Sequence, residues 1–259
     1  METDLPALSP EDPQPDPWSG LREFTAARIA LGRVGTSVPL SEALAFRLAH
    51  ADARDAVYSE LNLALLTSGL EQLGVSVCAV RSQAETRPQY LQRPDLGRQL
   101  HPESRKMLLQ GQAPERADVA IILADGLSAT AVQEHAVPVL QLLLPKLQAA
   151  GFTLAPVTIA EQARVAISDE IGQLLHAQLS LILIGERPGL SSPHSLGAYF
   201  TYGPRPGLTD EARNCVSNIR PEGLGYALAA DKLFFLLQEA LRRQLSGVGL
   251  KDEMGLLES

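Results

Sequence analysis

From Arg116 onward the chain alternates between short apolar runs and longer amphipathic stretches. Residues 119–124 (VAIILA) are apolar throughout and too short for most helices, and Asp125-Gly126 then turns the chain. Residues 127–150 return to helical spacing, with Pro138 predicted to kink or divide the helix. A second strand is expected over 153–159, a short helix over 169–175 and a third strand over 179–184. Continuous apolar runs of this length suit strands covered on both faces of a parallel sheet. Helices between them imply βαβ crossovers. Residues 198–202 add a candidate edge strand. Residues 226–245 read as a closing amphipathic helix with Leu233, Leu236, Leu237, Ala240 and Leu241 on its packing side and Gly247 as its stop. The pattern predicts an α/β fold: a Rossmann-like domain over 116–259 whose mainly parallel sheet is flanked by helices.

Before that domain, residues 21–115 read as a helical N-terminal region. The spacing predicts a short helix over 25–31 ended by Gly32, and a longer one over 40–65 carrying Leu44, Leu48, Ala51, Val57 and Leu61. Residues 92–98 are a turn-rich link whose charges serve either a subunit contact or solvation. Residues 1–20 are dense in proline and acidic groups and poor in apolar surface, which predicts a disordered leader.

Composition narrows the function classes. A chain of 259 residues can bury a sizeable core. Its net charge of −8 argues against a nucleic-acid groove, which needs clustered Lys and Arg. No apolar run approaches the roughly 18 residues that cross a bilayer, and no signal peptide is evident, so a cytoplasmic protein without a membrane partner is expected. Cys78 and Cys215 stand far apart with no CxxC or Cys/His cluster. This fits reduced thiols and offers no metal site.

The run at 179–184 empties into Gly185-Glu186-Arg187-Pro188-Gly189. Ligands of open α/β sheets sit beyond the carboxyl ends of strands, which puts Glu186 and Arg187 at a binding position or, equally, on a well-capped surface loop. Asp125-Gly126-Leu127-Ser128 is not GxGxxG and no GxxxxGK[ST] occurs, so a phosphate-binding loop has no support. Ser128 reads as a helix N-cap, with an anion site as the alternative. His194-Ser195-Leu196-Gly197 supplies HxxG, but Ser192 stands where the metal-ligating motif DxHxxG needs a carboxylate. His194 is therefore read as a loop histidine. His50, His101, His135 and His176 have no ligand-spaced partners. GxSxG is absent, and Asp169-Glu170 is read as favourable charge at a helix start.

GERPGLSSPHSLGAYFTYGPR from Gly185 and RNCVSNIRPEGLGYALAADKL from Arg213 resemble the small (light) chain of ethanolamine ammonia-lyase. FTAARIALGRVG from Phe24, LAFRLAHADARDAV from Leu44, YLQRPDLGR from Tyr90, ADGLSATAVQEHAVPVL from Ala124 and RVAISDEIGQLL from Arg164 resemble the same family, in its order. The resemblance implies an adenosylcobalamin-dependent radical lyase that converts ethanolamine to acetaldehyde and ammonia. It also implies a hetero-oligomer in which the large chain binds ethanolamine and the two chains hold the cobalamin between them. The cofactor keeps its dimethylbenzimidazole base on cobalt (base-on), so no protein ligand to the metal is implied. Carried over by motif, the cobalamin-contact positions are Val165 in RVAIS, Glu186 in GERPG and Cys215 in NCVSN, and no catalytic residue falls on this chain. Cys215 is expected as a contact and not as a reactive thiolate, since only Arg213 flanks it with positive charge. Some relatives carry an amphipathic N-terminal helix for entry into a bacterial microcompartment, from which this proline-dense leader departs. The alternative is a non-catalytic cobalamin- or nucleotide-binding module, or a scaffold subunit.

Overall fold

The computed structural model describes residues 16–25, 27–111 and 115–252. The fold is α/β, built on one six-stranded mixed sheet. Its strands are β1 (Val77–Arg81), β2 (Ala117–Ala124), β3 (Val157–Glu161), β4 (Ala177–Gly185), β5 (Leu196–Tyr202) and β6 (Arg213–Ile219), in the order β1-β3-β2-β4-β5-β6. The first four in that order run parallel. β5 and β6 are antiparallel to their neighbours.

The helices are α1 (Leu40–Tyr58), α2 (Leu63–Gln72), α3 (Arg87–Gln92), α4 (Pro102–Gln110), α5 (Ala129–Ala149), α6 (Ile167–Leu174) and α7 (Tyr226–Arg243). They divide between the faces of the sheet. Val119, Ile121 and Leu123 of β2 and Leu179, Leu181 and Leu183 of β4 point into a core shared with α2, α5 and α7. The alternate positions Ala120, Ile122 and Ala124, with Ile182 and Ile184, face α4 and α6. A strand buried on both faces is apolar nearly throughout, as β2 is from Val119 and β4 is from Leu179 apart from the buried Ser180.

Several sequence expectations are corrected. The parallel half carries the alternating strand–helix pattern on which the Rossmann-like reading rested, but the β5–β6 hairpin makes the sheet partly antiparallel. β6 was not anticipated: RNCVSNI alternates polar and apolar, and its position beside β5 makes it the edge strand in place of 198–202. The region 21–115 is not purely helical, because it supplies β1. No helix forms over the described part of 25–31, where Ala30 and Gly32 have left-handed backbone and Phe24 is exposed. The helix expected over 40–65 is two, since Asn62 leaves the helical region and caps α2 by accepting from Leu65 N at 3.0 Å. α5 runs as one helix through both Pro138 and Pro145. Proline inside a helix is unfavourable by about 3 kcal/mol, and the buried face of Val132, Val139, Leu140, Leu143 and Leu147 offsets it. α7 ends at Arg243 and is capped by Gln244 in left-handed conformation, three residues before Gly247.

Residues 1–15 of the expected leader lie outside the described residues, and its end enters a 3-10 turn at Ser19–Glu23. Among the described residues no helix is long and apolar enough to cross a membrane.

Candidate functional site

At the carboxyl ends of β2, β3 and β4 lies a cleft of about 410 Å³. Gly126 and Leu127 enter it from β2, Arg164 and Val165 from β3, Gly185, Glu186 and Arg187 from β4, and Tyr199 from β5. Its floor is backbone against backbone. Leu127 N donates to Gly185 O at 2.9 Å, and a Cβ on Gly126 would run into Gly185 O and Ile184. A Cβ on Gly185 would run into Ser128 O. Only glycine permits that approach, and Gly126 also needs its φ of 55°.

Asp125 organises one wall. Its carboxylate accepts from Ala163 N and Gln162 N, each at 2.9 Å, and so sets the path of the loop that presents Arg164 and Val165. Arg87 contacts the same carboxylate at 3.3 Å and donates to Gly126 O at 2.9 Å and Val57 O at 2.7 Å. Burial pushes the Asp125 carboxyl up to about 6, against the pull of the two N–H donors and Arg87. The guanidinium carbons of Arg87 and Arg164 lie 4.7 and 4.3 Å from the centre of the buried Tyr90 ring, within cation–π range. Arg164 Nε and Arg87 Nη2 are buried without a hydrogen-bond partner among the described residues.

Glu186 organises the other wall. Its carboxylate accepts from Ser195 Oγ at 2.7 Å and from Asn218 N at 3.2 Å. It is thus not tied up by the neighbouring Arg187, the pairing that an ordinary surface loop would show.

The structure brings Val165 and Glu186 into one cleft. Ser168 N and Oγ both donate to the Val165 carbonyl, at 3.1 and 2.8 Å, so the apolar side chain is the surface Val165 offers. Cys215 lies one strand further along the sheet, on β6, as the cross-strand partner of Tyr199. Burial raises its thiol pKa and Glu186 adds to the rise, while the Tyr199 hydroxyl pulls the other way. Burial and Glu186 thus favour the thiol over the thiolate at this position.

Other candidates resolve into structural roles. Ser128 Oγ accepts from Ala131 N at 3.3 Å as the N-cap of α5. The His194 carbonyl pairs with His135 Nε2 at 2.8 Å, and His135 Nδ1 lies 2.9 Å from the Tyr226 hydroxyl. Asp169 and Glu170 are more than surface charges at a helix start: both are buried. Asp169 pairs with Arg213, anchoring α6 to the start of β6, and Glu170 pairs with Arg105 and accepts from Leu100 N. Arg87, Tyr90, Asp125, Arg164, Ser195, Tyr199 and Asn218 escaped the sequence reading as site residues. Only Asp125 carried a signal, as a lone carboxylate directly after a fully apolar strand.

A glycine-floored cleft at the carboxyl ends of parallel strands, walled by an arginine–aromatic stack and a tethered carboxylate, is the candidate ligand site of an α/β chain. The family model for the ethanolamine ammonia-lyase light chain matches residues 15–251. The ethanolamine ammonia-lyase small subunit of Azotobacter vinelandii is 58% identical over 240 residues, covering 92% of this chain and 89% of the relative. That of Ralstonia nicotianae is 54% identical over 248 residues, with 94% and 92% covered. That of Pseudomonas putida is 55% identical over 244 residues, with 93% and 90% covered. This chain belongs to the ethanolamine ammonia-lyase light-chain family, a family of lyase subunits.

Proposed function

We propose that this chain is the small subunit of a cytoplasmic, adenosylcobalamin-dependent ethanolamine ammonia-lyase and forms one wall of the cobalamin site against a large subunit. The enzyme deaminates ethanolamine to acetaldehyde and ammonia, with ethanolamine held mainly by the large chain. The observation that carries this reading is the meeting of Val165 and Glu186 in one cleft, with Cys215 across the Tyr199 strand pair.

The residues present suit the ligand. The cleft is much smaller than a corrin with its nucleotide tail, so it takes an edge of the cofactor and leaves the rest to a partner. Glu186 supplies a carboxylate that accepts from corrin amides or from the ribose hydroxyl. Arg164 supplies a guanidinium with an unused Nε–H, and Val165 an apolar contact. Adenosylcobalamin, when bound, supplies a cobalt–carbon bond whose homolysis starts radical chemistry. This chain's part is to bind, orient and exclude water. In the base-on state the cobalt takes no ligand from it.

The test is co-expression with the large chain and measurement of ammonia release from ethanolamine, with and without adenosylcobalamin, for wild type and Glu186→Ala. Cofactor-dependent release that requires both chains, with a raised cofactor requirement in the variant, is expected. A stable complex that turns nothing over, or tight cobalamin binding by this chain alone, would replace this reading with that of a scaffold or a carrier module.

A further inference from the structure

Glu186 sits in a gap that the sheet opens for it. Between β5 and β6 the register slips: Ala198 pairs with Val216 and Leu196 with Ile219, so two steps on β5 oppose three on β6. The extra residue is a β-bulge, a device that takes a backbone N–H out of the ladder and re-aims it. Asn218 lies in the bulge with φ 57°, a left-handed backbone that Asn tolerates better than most residues. Its N–H points at Glu186, 3.2 Å from Oε2 and 3.4 Å from Oε1.

Opposite the bulge is Gly197. A Cβ there would lie 2.9 Å from Glu186 Oε1 and 3.0 Å from its Cγ, so the absent side chain is the space the carboxylate occupies. Ser195, buried, closes the arrangement from both ends. Its hydroxyl donates to Oε2 at 2.7 Å, and its carbonyl accepts from Glu186 N at 3.0 Å. A glutamate at the mouth of a loop ordinarily samples several rotamers. Here two donors and a missing Cβ define one position, and the remaining lone pairs are available to the cleft.

We propose that Ser195 is a positioning residue for cobalamin binding, acting through Glu186, with the bulge at Asn218 and the space at Gly197 as the other two parts of the cradle. The inference rests on the reading of the cleft as a cobalamin wall. It adds that the direction of the carboxylate, and not only its presence, sets cofactor affinity.

The experiment titrates the purified complex of both chains with hydroxocobalamin by equilibrium dialysis and follows the thermal unfolding of each variant. Ser195→Ala is expected to weaken binding about fivefold to tenfold, the scale of one hydrogen bond to a charged group that orders a ligand contact. Ser195→Thr, which keeps the hydroxyl, is expected to stay within about twofold of wild type on the same scale. On a Glu186→Ala background, Ser195→Ala should change affinity no further, which a general structural role would not reproduce. Gly197→Ala removes no hydrogen-bonding group yet displaces the carboxylate, and should also weaken binding. It decides the matter if Ser195→Ala does not fold. If Glu186→Ala weakens binding while both Ser195→Ala and Gly197→Ala leave it intact, the positioning role is overturned and the cobalamin wall stands. An equal loss from Ser195→Ala with and without Glu186 overturns it too. If Glu186→Ala itself leaves the affinity unchanged, the wall and the positioning role fall together.

Discussion

On one side of the cleft Asp125 is buried beneath Arg87, with two backbone N–H groups and a cation–π stack around it. On the other side Glu186 stands at the rim, held by one hydroxyl and one N–H in a gap of the sheet. The two carboxylates share a cleft yet belong to different levels of the structure. The Asp125 network joins α1, α3 and the ends of β2 and β3, residues that fold cannot bring together unless all four elements are in place. The Glu186 cradle joins only the exit of β4 to the neighbouring β5–β6 hairpin. One wall is therefore part of the folding core, and the other can be altered while the core stays intact.

The strongest way to break the contrast is to remove one partner of the buried pair. Asp125→Ala leaves Arg87 without its carboxylate and two buried N–H groups without an acceptor, and should destabilise the chain by about 3–5 kcal/mol in urea unfolding. A loss below about 1 kcal/mol, the range of exposed pairs, would erase the distinction between the walls.

A second, smaller effect is read in pH. Burial lifts the folded Asp125 carboxyl to about 6, above the roughly 3.9 of an unfolded aspartate. At pH 5 the folded chain keeps this proton while the unfolded chain has released it. The stability it contributes is therefore fully present below about pH 4 and lost as pH rises to about 6. Measured against Asp125→Asn, which does not titrate, the wild type should lose roughly 3 kcal/mol of relative stability across that window. A difference that stays flat, or grows with pH, would mean that Arg87 and the N–H donors outweigh burial.

The same contrast explains what the sequence made legible. β2 and β4 declare themselves because a strand covered on both faces has little freedom to be polar, and the Gly-rich loop after β4 declares its position by ending that run. The family resemblance brought Val165, Glu186 and Cys215 to notice. β6 stayed hidden because an edge strand needs apolar residues at only some positions, and its bulge breaks even that alternation. Arg87 and Tyr90 were illegible for another reason: Arg87 meets Asp125 38 residues downstream and Tyr90 meets Ala163 73 residues downstream, and only the order β1-β3-β2-β4 closes those separations. The buried fates of Asp169 and Glu170 likewise depended on Arg213 and Arg105, partners that no local pattern names.

On the lightly held wall the effect should move from stability to binding. Glu186→Ala is expected to shift unfolding by about 2 kcal/mol, less than the loss at Asp125, since each of the two hydrogen bonds it ends is worth about 1 kcal/mol. It should raise the cobalamin dissociation constant of the two-chain complex about tenfold, which corresponds to about 1.4 kcal/mol. A variant that unfolds as readily as Asp125→Ala would place Glu186 in the core and remove the contrast.

The smallest effect falls on Cys215, which reaches the site only through the β5–β6 edge. Its thiol stays protonated, because burial and Glu186 both raise its pKa. It thus offers a small polarisable surface beside Tyr199 rather than a nucleophile. Cys215→Ala removes that surface and nothing ionic, so cobalamin binding should weaken by about threefold or less, the scale of one modest van der Waals contact. Turnover at saturating cofactor should be unchanged. Complete inactivation with normal cofactor affinity would show instead that the thiol itself takes part in the chemistry. In that case the lightly held wall would carry a catalytic group, and its looseness would have to be understood as motion the reaction uses.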